Sequence, residues 1–375
     1  MNRTADVIVV GAGVIGLAIA YELSRRGARV RVLEARAAGQ GATQASAGML
    51  TPHTETRDLP SLGGLATRSL DLYDAFIERV REDSGLGVEY RRCGSLHVAT
   101  DDARMEDFRR LAVRMATSGV AADLLNPAQV REHESQIGSG FTGGLLVPAH
   151  GYVVVGDLVR ALLAAATARG AHVDVARVMK VSATPAGIRV ETQGGAVHAA
   201  AAVVATGSWT SRVAVEGDAA IPVRPVRGQL VQLDWPTAPL ARILWGPDCY
   251  LVPWTSGAML VGATAEEAGF DERATAAGVH DLLGAACDLL PRAWQAAFTG
   301  VRVGLRPATP DDLPVLGASP HVGSVYYATG HYRNGVLLTP VTAVLLADLV
   351  LGQPADTALD AFRPDRFGDW KQGVG

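Results

Sequence analysis

Glycines at 11, 13 and 16 form a Gly-x-Gly-x-x-Gly run, and Glu34 follows eighteen residues after the third. Residues 7–10 before the run are continuously apolar, as in a parallel strand covered on both faces. Residues 17–26 after it read as a helix rich in small residues, with Gly27 placed to cap it, and residues 30–33 read as the next strand. In this context the glycines allow a tight turn and close backbone approach to a pyrophosphate seated on the helix N-terminus. Glu34 accepts hydrogen bonds from ribose hydroxyls and repels a 2′-phosphate, which disfavours NADP.

Two further small-residue stretches suit backbone contact with an extended cofactor: residues 39–49, and the turn at 328–335 with the sequence Ala-Thr-Gly-His-Tyr-Arg-Asn-Gly. A nicotinamide enzyme concentrates its nucleotide fold in one contiguous domain, whereas here the nucleotide-type segments lie at the start, middle and end. The dinucleotide expected is therefore FAD. The helix after the C-terminal turn is placed to aim its positive end at the flavin.

Arg306, in Leu-Arg-Pro, and Arg333, in Tyr-Arg-Asn-Gly, are expected in turns that reach inward. A substrate carboxylate in an apolar pocket needs such a charge-assisted, bidentate partner. No Ser/His/Asp arrangement or paired-carboxylate motif calls for nucleophilic or hydrolytic chemistry. His53, His97, His133 and His150 are read as structural or solvated.

Lys180 and Lys371 are the only lysines, so few positions remain for a catalytic amine. Cys93, Cys249 and Cys287 are isolated, which fits a reducing compartment and argues against disulfides, and no metal-ligand spacing occurs. The net charge of −4 gives no reason to expect nucleic acid. The apolar stretch at 336–351 is too interrupted to span a bilayer. A cytoplasmic homo-oligomer is expected.

The elements that position these residues alternate. Helices are expected at 65–81, 101–118, 158–168 and 340–351, and strands at 94–98, 171–175, 201–205 and 324–328. Between 224 and 264 the texture changes to strands separated by Pro and Gly turns (229–233, 250–253, 258–262), an antiparallel sheet. The fold class is α/β: a discontinuous Rossmann-like FAD-binding domain (1–85, 150–220, 300–375) with an α+β substrate domain on an antiparallel sheet (86–149, 221–299).

Segments 9–16, 45–50, 204–207, 248–253, 304–307 and 330–338 together resemble the D-amino-acid-oxidase-like flavoenzymes, and within them the glycine oxidases of thiamine biosynthesis. The Gly-His-aromatic-Arg-Asn-Gly run at 330–335 is the most specific match. The resemblance implies that Val14, Ile15, Glu34, Ala35, Ala42, Thr43, Ala47, Gly48 and Met49 line the adenosine, pyrophosphate and flavin. It gives Val178 a backbone contact at the adenine end, while Gly207 belongs to the matching middle segment. His331, Tyr332, Arg333, Asn334, Gly335, Val336 and Leu337 would wrap the isoalloxazine, following Gly330. Arg306 and Arg333 would hold the substrate carboxylate, with a hydroxyl contact from Tyr250 and with Met49 beside the substrate.

Two positions depart from the glycine oxidases: Ala265 stands where methionine is common near the substrate, and Trp245 where tyrosine is. One wall is thereby opened and another narrowed, so glycine need not be the preferred substrate. The related sarcosine oxidases use a lysine near the flavin and a C-terminal cysteine for covalent attachment. This chain has no lysine between 181 and 370 and no cysteine after Cys287, so the FAD is expected to be non-covalent. The activity implied is oxidative deamination of glycine or another small amino acid or amine, with oxygen as acceptor. A dehydrogenase with another acceptor, an FAD-binding subunit of a larger assembly and a nicotinamide dehydrogenase are the competing readings.

Overall fold

The structure is a computed structural model that describes residues 5–56 and 58–368. Lys371 and the outer ends of the two terminal FAD-binding segments lie outside the described residues.

The strand Ala5–Val10 is buried over its last four residues. It pairs in parallel with Val30–Glu34 on one side and Gly195–Val204 on the other. Between the first two runs the helix Val14–Arg25, whose buried Ala18 and Ala20 admit close neighbours. Two helices, Val155–Ala168 and Thr339–Val350, pack against it. Gly27, at φ +92°, turns the chain out of the helix.

The order across this nine-stranded sheet is Ala214–Val215, Val178–Thr184, Gly187–Thr192, Gly195–Val204, Ala5–Val10, Val30–Glu34, His172–Val175. Val325–Thr329 joins Gly195–Val204 in parallel, and Val315–Ala318 pairs with it. The core strands thus come from the start, middle and end of the chain, as their apolar runs predict. The antiparallel hairpin Val178–Thr184/Gly187–Thr192 on this sheet was not anticipated from sequence.

The second sheet has eight strands. Its order is Ala297–Ala308, Arg224–Asp234, Ala258–Gly262, Tyr250–Pro253, Ile243–Trp245, Ser95–Ala99, Gly143–Val147, Asp123–Leu125. All neighbours are antiparallel except Ile243–Trp245 against Ser95–Ala99. The helix Ala276–Leu289 covers one face through Leu282, Ala286 and Leu289.

Two sequence expectations need correction here. Arg306 is not in a turn: it sits in the twelve-residue strand Ala297–Ala308, paired along its length with Arg224–Asp234. The same strand runs through the domain boundary expected at residue 300. Its first three residues are exposed and Thr299 and Gly300 follow one another, so the apolar alternation that marks a strand is missing there.

Candidate active site

The parallel strands Ala5–Val10, Val30–Glu34, Gly195–Val204 and Val325–Thr329 all end at one cavity of about 410 Å³. Ligands of open α/β sheets bind in this place, outside the carboxyl ends of the strands. The eight-stranded sheet supplies the opposite wall through Tyr250 and Arg306, and the segment that follows Ala258–Gly262 adds Thr264 and Ala265.

The glycine turn has a division of labour. A Cβ on Gly11, at φ +106°, would lie 2.5 Å from the Ala205 carbonyl oxygen, and one on Gly16 would lie 2.0 Å from the Gly11 carbonyl oxygen. Gly16 is therefore a packing residue and does not line the cavity. Gly13 does line it, and a Cβ there would meet only the Thr43 hydroxyl, at 3.3 Å. Thr43 Oγ1 in turn accepts from the Val14 amide at 3.2 Å, tying the 39–48 loop to the helix N-terminus. Gly48, at φ +76°, presses its backbone against Val153, where a Cβ would lie 1.9 Å from the carbonyl oxygen.

Glu34 ends its strand at the cavity wall and accepts two backbone amides, Ala12 at 2.7 Å and Arg36 at 2.9 Å. Each carboxylate oxygen keeps a lone pair for a ribose hydroxyl. A backbone cradle open at Gly13, a carboxylate one strand away and Val178 beyond it match an adenine dinucleotide from phosphate to base. The residues present fit FAD.

At the other end lie Met49, Glu55, Tyr250, Ala265, Arg306, His331 and Arg333. Arg306 lies across Gly228, where a Cβ would come within 2.5 Å of the guanidinium, and its Nη1 donates to the Thr264 carbonyl at 2.8 Å. Tyr250 is opposite Gly262, and its phenol occupies the space a side chain there would need. Burial pushes the Tyr250 phenol up to about 12, opposed by the positive charge of Arg306. It remains a neutral hydroxyl donor throughout the physiological range.

His331 is buried, its Nε2 lies 3.2 Å from the Thr342 hydroxyl, and burial brings it down to about 3. It is a neutral imidazole at the wall. Arg333 donates from Nη2 to Glu55 Oε1 at 3.2 Å, and the Thr51 hydroxyl donates to Glu55 Oε2 at 2.8 Å. Burial raises the Glu55 carboxyl, and the Arg333 charge opposes that rise.

Most residues expected from sequence meet at this cavity: Gly11, Gly13, Val14, Ile15, Glu34, Ala35, Ala42, Thr43, Ala47, Gly48, Met49, Val178, Gly207, Tyr250, Ala265, Arg306, His331, Tyr332, Arg333, Gly335 and Val336. Gly330, Asn334 and Leu337 are not among its lining. Gly330, at φ +71°, turns the chain tightly against Thr309, and Leu337 is core. Asn334 is buried behind the turn.

Trp245 is also absent from the wall. It stacks on His97 at 5.5 Å and leans on Tyr250 at 5.0 Å, so it backs Tyr250 and does not face the cavity. Three of the histidines read as structural or solvated are linked: Ser95 Oγ lies 2.9 Å from His97 Nε2 and 2.7 Å from His150 Nδ1, and His150 Nε2 lies 3.1 Å from His53 Nδ1.

Sequence reasoning missed Glu55, Arg36, Trp209 and Arg212, all of which line the cavity. Glu55 ends the four-residue helix Pro52–Glu55, a lone carboxylate in no motif. No group of His, Cys, Asp or Glu among the described residues is arranged to hold a metal. No described helix is long and apolar enough to cross a membrane.

Comparison with known proteins gives the chain's family. The glycine oxidase of Geobacillus kaustophilus is 35% identical over 96% of both chains. The bifunctional protein ThiO/ThiG of Trichormus variabilis is 34% identical over 97% of this chain, which spans 55% of that longer protein. The crystal structure of glycine oxidase from Geobacillus kaustophilus superposes with a TM-score of 0.93 at 33% identity, covering 100% of both chains. Residues 6–349 match the family described as FAD dependent oxidoreductase, and the chain belongs to that family, with FAD as its cofactor.

Proposed function

We propose that the protein oxidises glycine or another small amino acid or amine to the corresponding imine, which water hydrolyses, a primary amino acid giving a 2-oxo acid and ammonia. The observation that carries this reading is the convergence of Arg306, Arg333, Tyr250 and Glu55 on the end of the cavity away from the nucleotide turn. Two guanidiniums against one carboxylate leave a net positive charge there, matched to a single substrate carboxylate.

FAD, when bound, supplies the two-electron acceptor for the hydrogen on the substrate Cα. The chain's own residues bind and orient. Arg306, held by the Thr264 carbonyl, takes the carboxylate; Arg333 flanks it; the neutral Tyr250 hydroxyl donates a further hydrogen bond. Holding Cα in one orientation is the main contribution, since the chemistry needs no protein nucleophile. Ala265 at the wall leaves room for a substituent on Cα or nitrogen.

The FAD is held without a covalent bond on this reading: no cysteine lines the cavity among the described residues, and Cys249 is a buried thiol pushed up to about 12 by burial. Oxygen as acceptor and a homo-oligomeric assembly complete the proposal. Turnover of glycine, sarcosine, D-alanine and D-proline, with peroxide and dye reduction measured in parallel, tests it. Peroxide stoichiometric with imine supports an oxidase. Dye reduction without peroxide identifies a dehydrogenase, and no turnover by the isolated chain points to a subunit of a larger assembly.

A further inference from the structure

Residues 263–275 leave the eight-stranded sheet at the substrate end of the cavity and return to it at the helix Ala276–Leu289. Both ends of the segment are pinned by one strand, Arg224–Asp234. Arg227 is buried and pairs with Glu266 Oε2, from Nη2 at 2.5 Å, and with Asp271, from Nη1 at 3.3 Å. Gln229 donates to Glu266 at 2.7 Å and accepts the Thr275 amide at 2.9 Å.

The middle of the segment crosses to the other domain. Glu272 takes Arg36 in a two-pronged pair at 2.9 and 3.3 Å. Phe270 packs beside Trp209, ring centres 5.9 Å apart, with the Arg212 guanidinium 3.5 Å from its own ring centre. Arg36, Trp209 and Arg212 all line the cofactor cavity near Glu34 and Ala35, while Phe270 and Glu272 do not reach it. Arg36 also lies 4.5 Å over the Trp209 ring.

We propose that Glu272 and Phe270 are positioning residues for FAD: they hold Arg36, Trp209 and Arg212 in place at the nucleotide end from outside. The segment that presents Thr264 and Ala265 to the substrate end thereby straps the cofactor in. A guanidinium fixed by a carboxylate and an aromatic face has little freedom left to lose when a ligand arrives. This inference rests on FAD as the cofactor.

The test is FAD affinity, read by quenching of flavin fluorescence as FAD is titrated into apoprotein. Glu272→Gln is expected to raise the Kd about threefold and Phe270→Ala about tenfold, in line with a partly exposed ion pair and a cation–aromatic contact. Phe270→Tyr should restore affinity to within about twofold of wild type, since it keeps the aromatic face. Glu267→Gln, on the same segment but in an exposed pair with Arg224, should leave the Kd unchanged. Apoprotein melting should be unaltered in each variant, with the loss confined to the FAD-loaded form. Wild-type Kd in both Phe270→Ala and Glu272→Gln would overturn the proposal, as would an equal loss of melting temperature in apo and loaded protein without rescue by tyrosine. A wild-type chain that quenches no flavin fluorescence would contradict the cofactor reading as well.

Discussion

Arg333 Nη2 donates to Glu55 Oε1 at 3.2 Å, and the two partners differ sharply in setting: the Arg333 side chain is 48% exposed and that of Glu55 only 8%. The pair places a buried negative charge beside one of the two arginines proposed for the substrate carboxylate. Removing it leaves both guanidiniums unopposed. Glu55→Gln should bind acetate about three- to tenfold more tightly, measured as a perturbation of the flavin absorbance, for a partly screened interaction of roughly 1 kcal/mol. In wild type the same tightening should appear as pH falls through the raised Glu55 pKa, and Glu55→Gln should not show it.

Arg306 is held by the Thr264 carbonyl over Gly228 and has no carboxylate partner among the described residues. Arg306→Met should lower kcat/KM about 100-fold, or roughly 3 kcal/mol, as expected for loss of a charge-assisted bidentate contact. Steady-state kinetics with the FAD content checked separates this from cofactor loss.

The glycine turn yields a paired prediction. Gly13→Ala adds a Cβ that meets only the Thr43 hydroxyl at 3.3 Å but points into the cavity wall. It should fold with near wild-type melting as apoprotein and lose FAD affinity. Gly16→Ala drives a Cβ to 2.0 Å from the Gly11 carbonyl oxygen, so it should lower the melting temperature of the apoprotein itself.

How far the sequence revealed the site follows from the same contrast. Gly11, Gly13 and Gly16 are legible because a strand, a helix and Glu34 stand at fixed spacings around them, and the backbone approach they permit is local. The two sheets and the parallel core were legible from apolar runs and turn residues. The Leu-Arg-Pro context of Arg306 suggests a turn, yet long-range pairing with Arg224–Asp234 makes that stretch a strand. Glu55 and the Glu272–Arg36 pair were not legible: contacts across 278 and 236 residues depend on the packing of two sheets.

Buried histidines set an acid limit. His53, His150 and His331 are all held below their ordinary value of 6.5, chiefly by burial, His331 to about 3. The unfolded chain therefore takes up protons below pH 6.5 that the native chain refuses. Stability is full above 6.5 and falls as pH drops towards the native values, by about 1.4 kcal/mol per pH unit for each proton. Melting temperature should fall steadily between pH 6.5 and 5, and His331→Asn should make the slope shallower.

Ala265 at the substrate end tests the pocket size. Ala265→Met fills the wall and should shift relative kcat/KM towards glycine and away from D-alanine and sarcosine by about tenfold, the scale of one or two methylenes.

On the proposed function, a small amino acid or amine is oxidised at the FAD cavity with its carboxylate on Arg306 and Arg333. The most direct test is anaerobic addition of glycine, sarcosine, D-alanine and D-proline to the purified yellow protein while its visible spectrum is followed. At least one of them should bleach the flavin band, and Arg306→Met should slow that bleaching about 100-fold at the same concentration. A chain that carries FAD but is bleached by none of them, or whose Arg306→Met variant bleaches as wild type does, would contradict it.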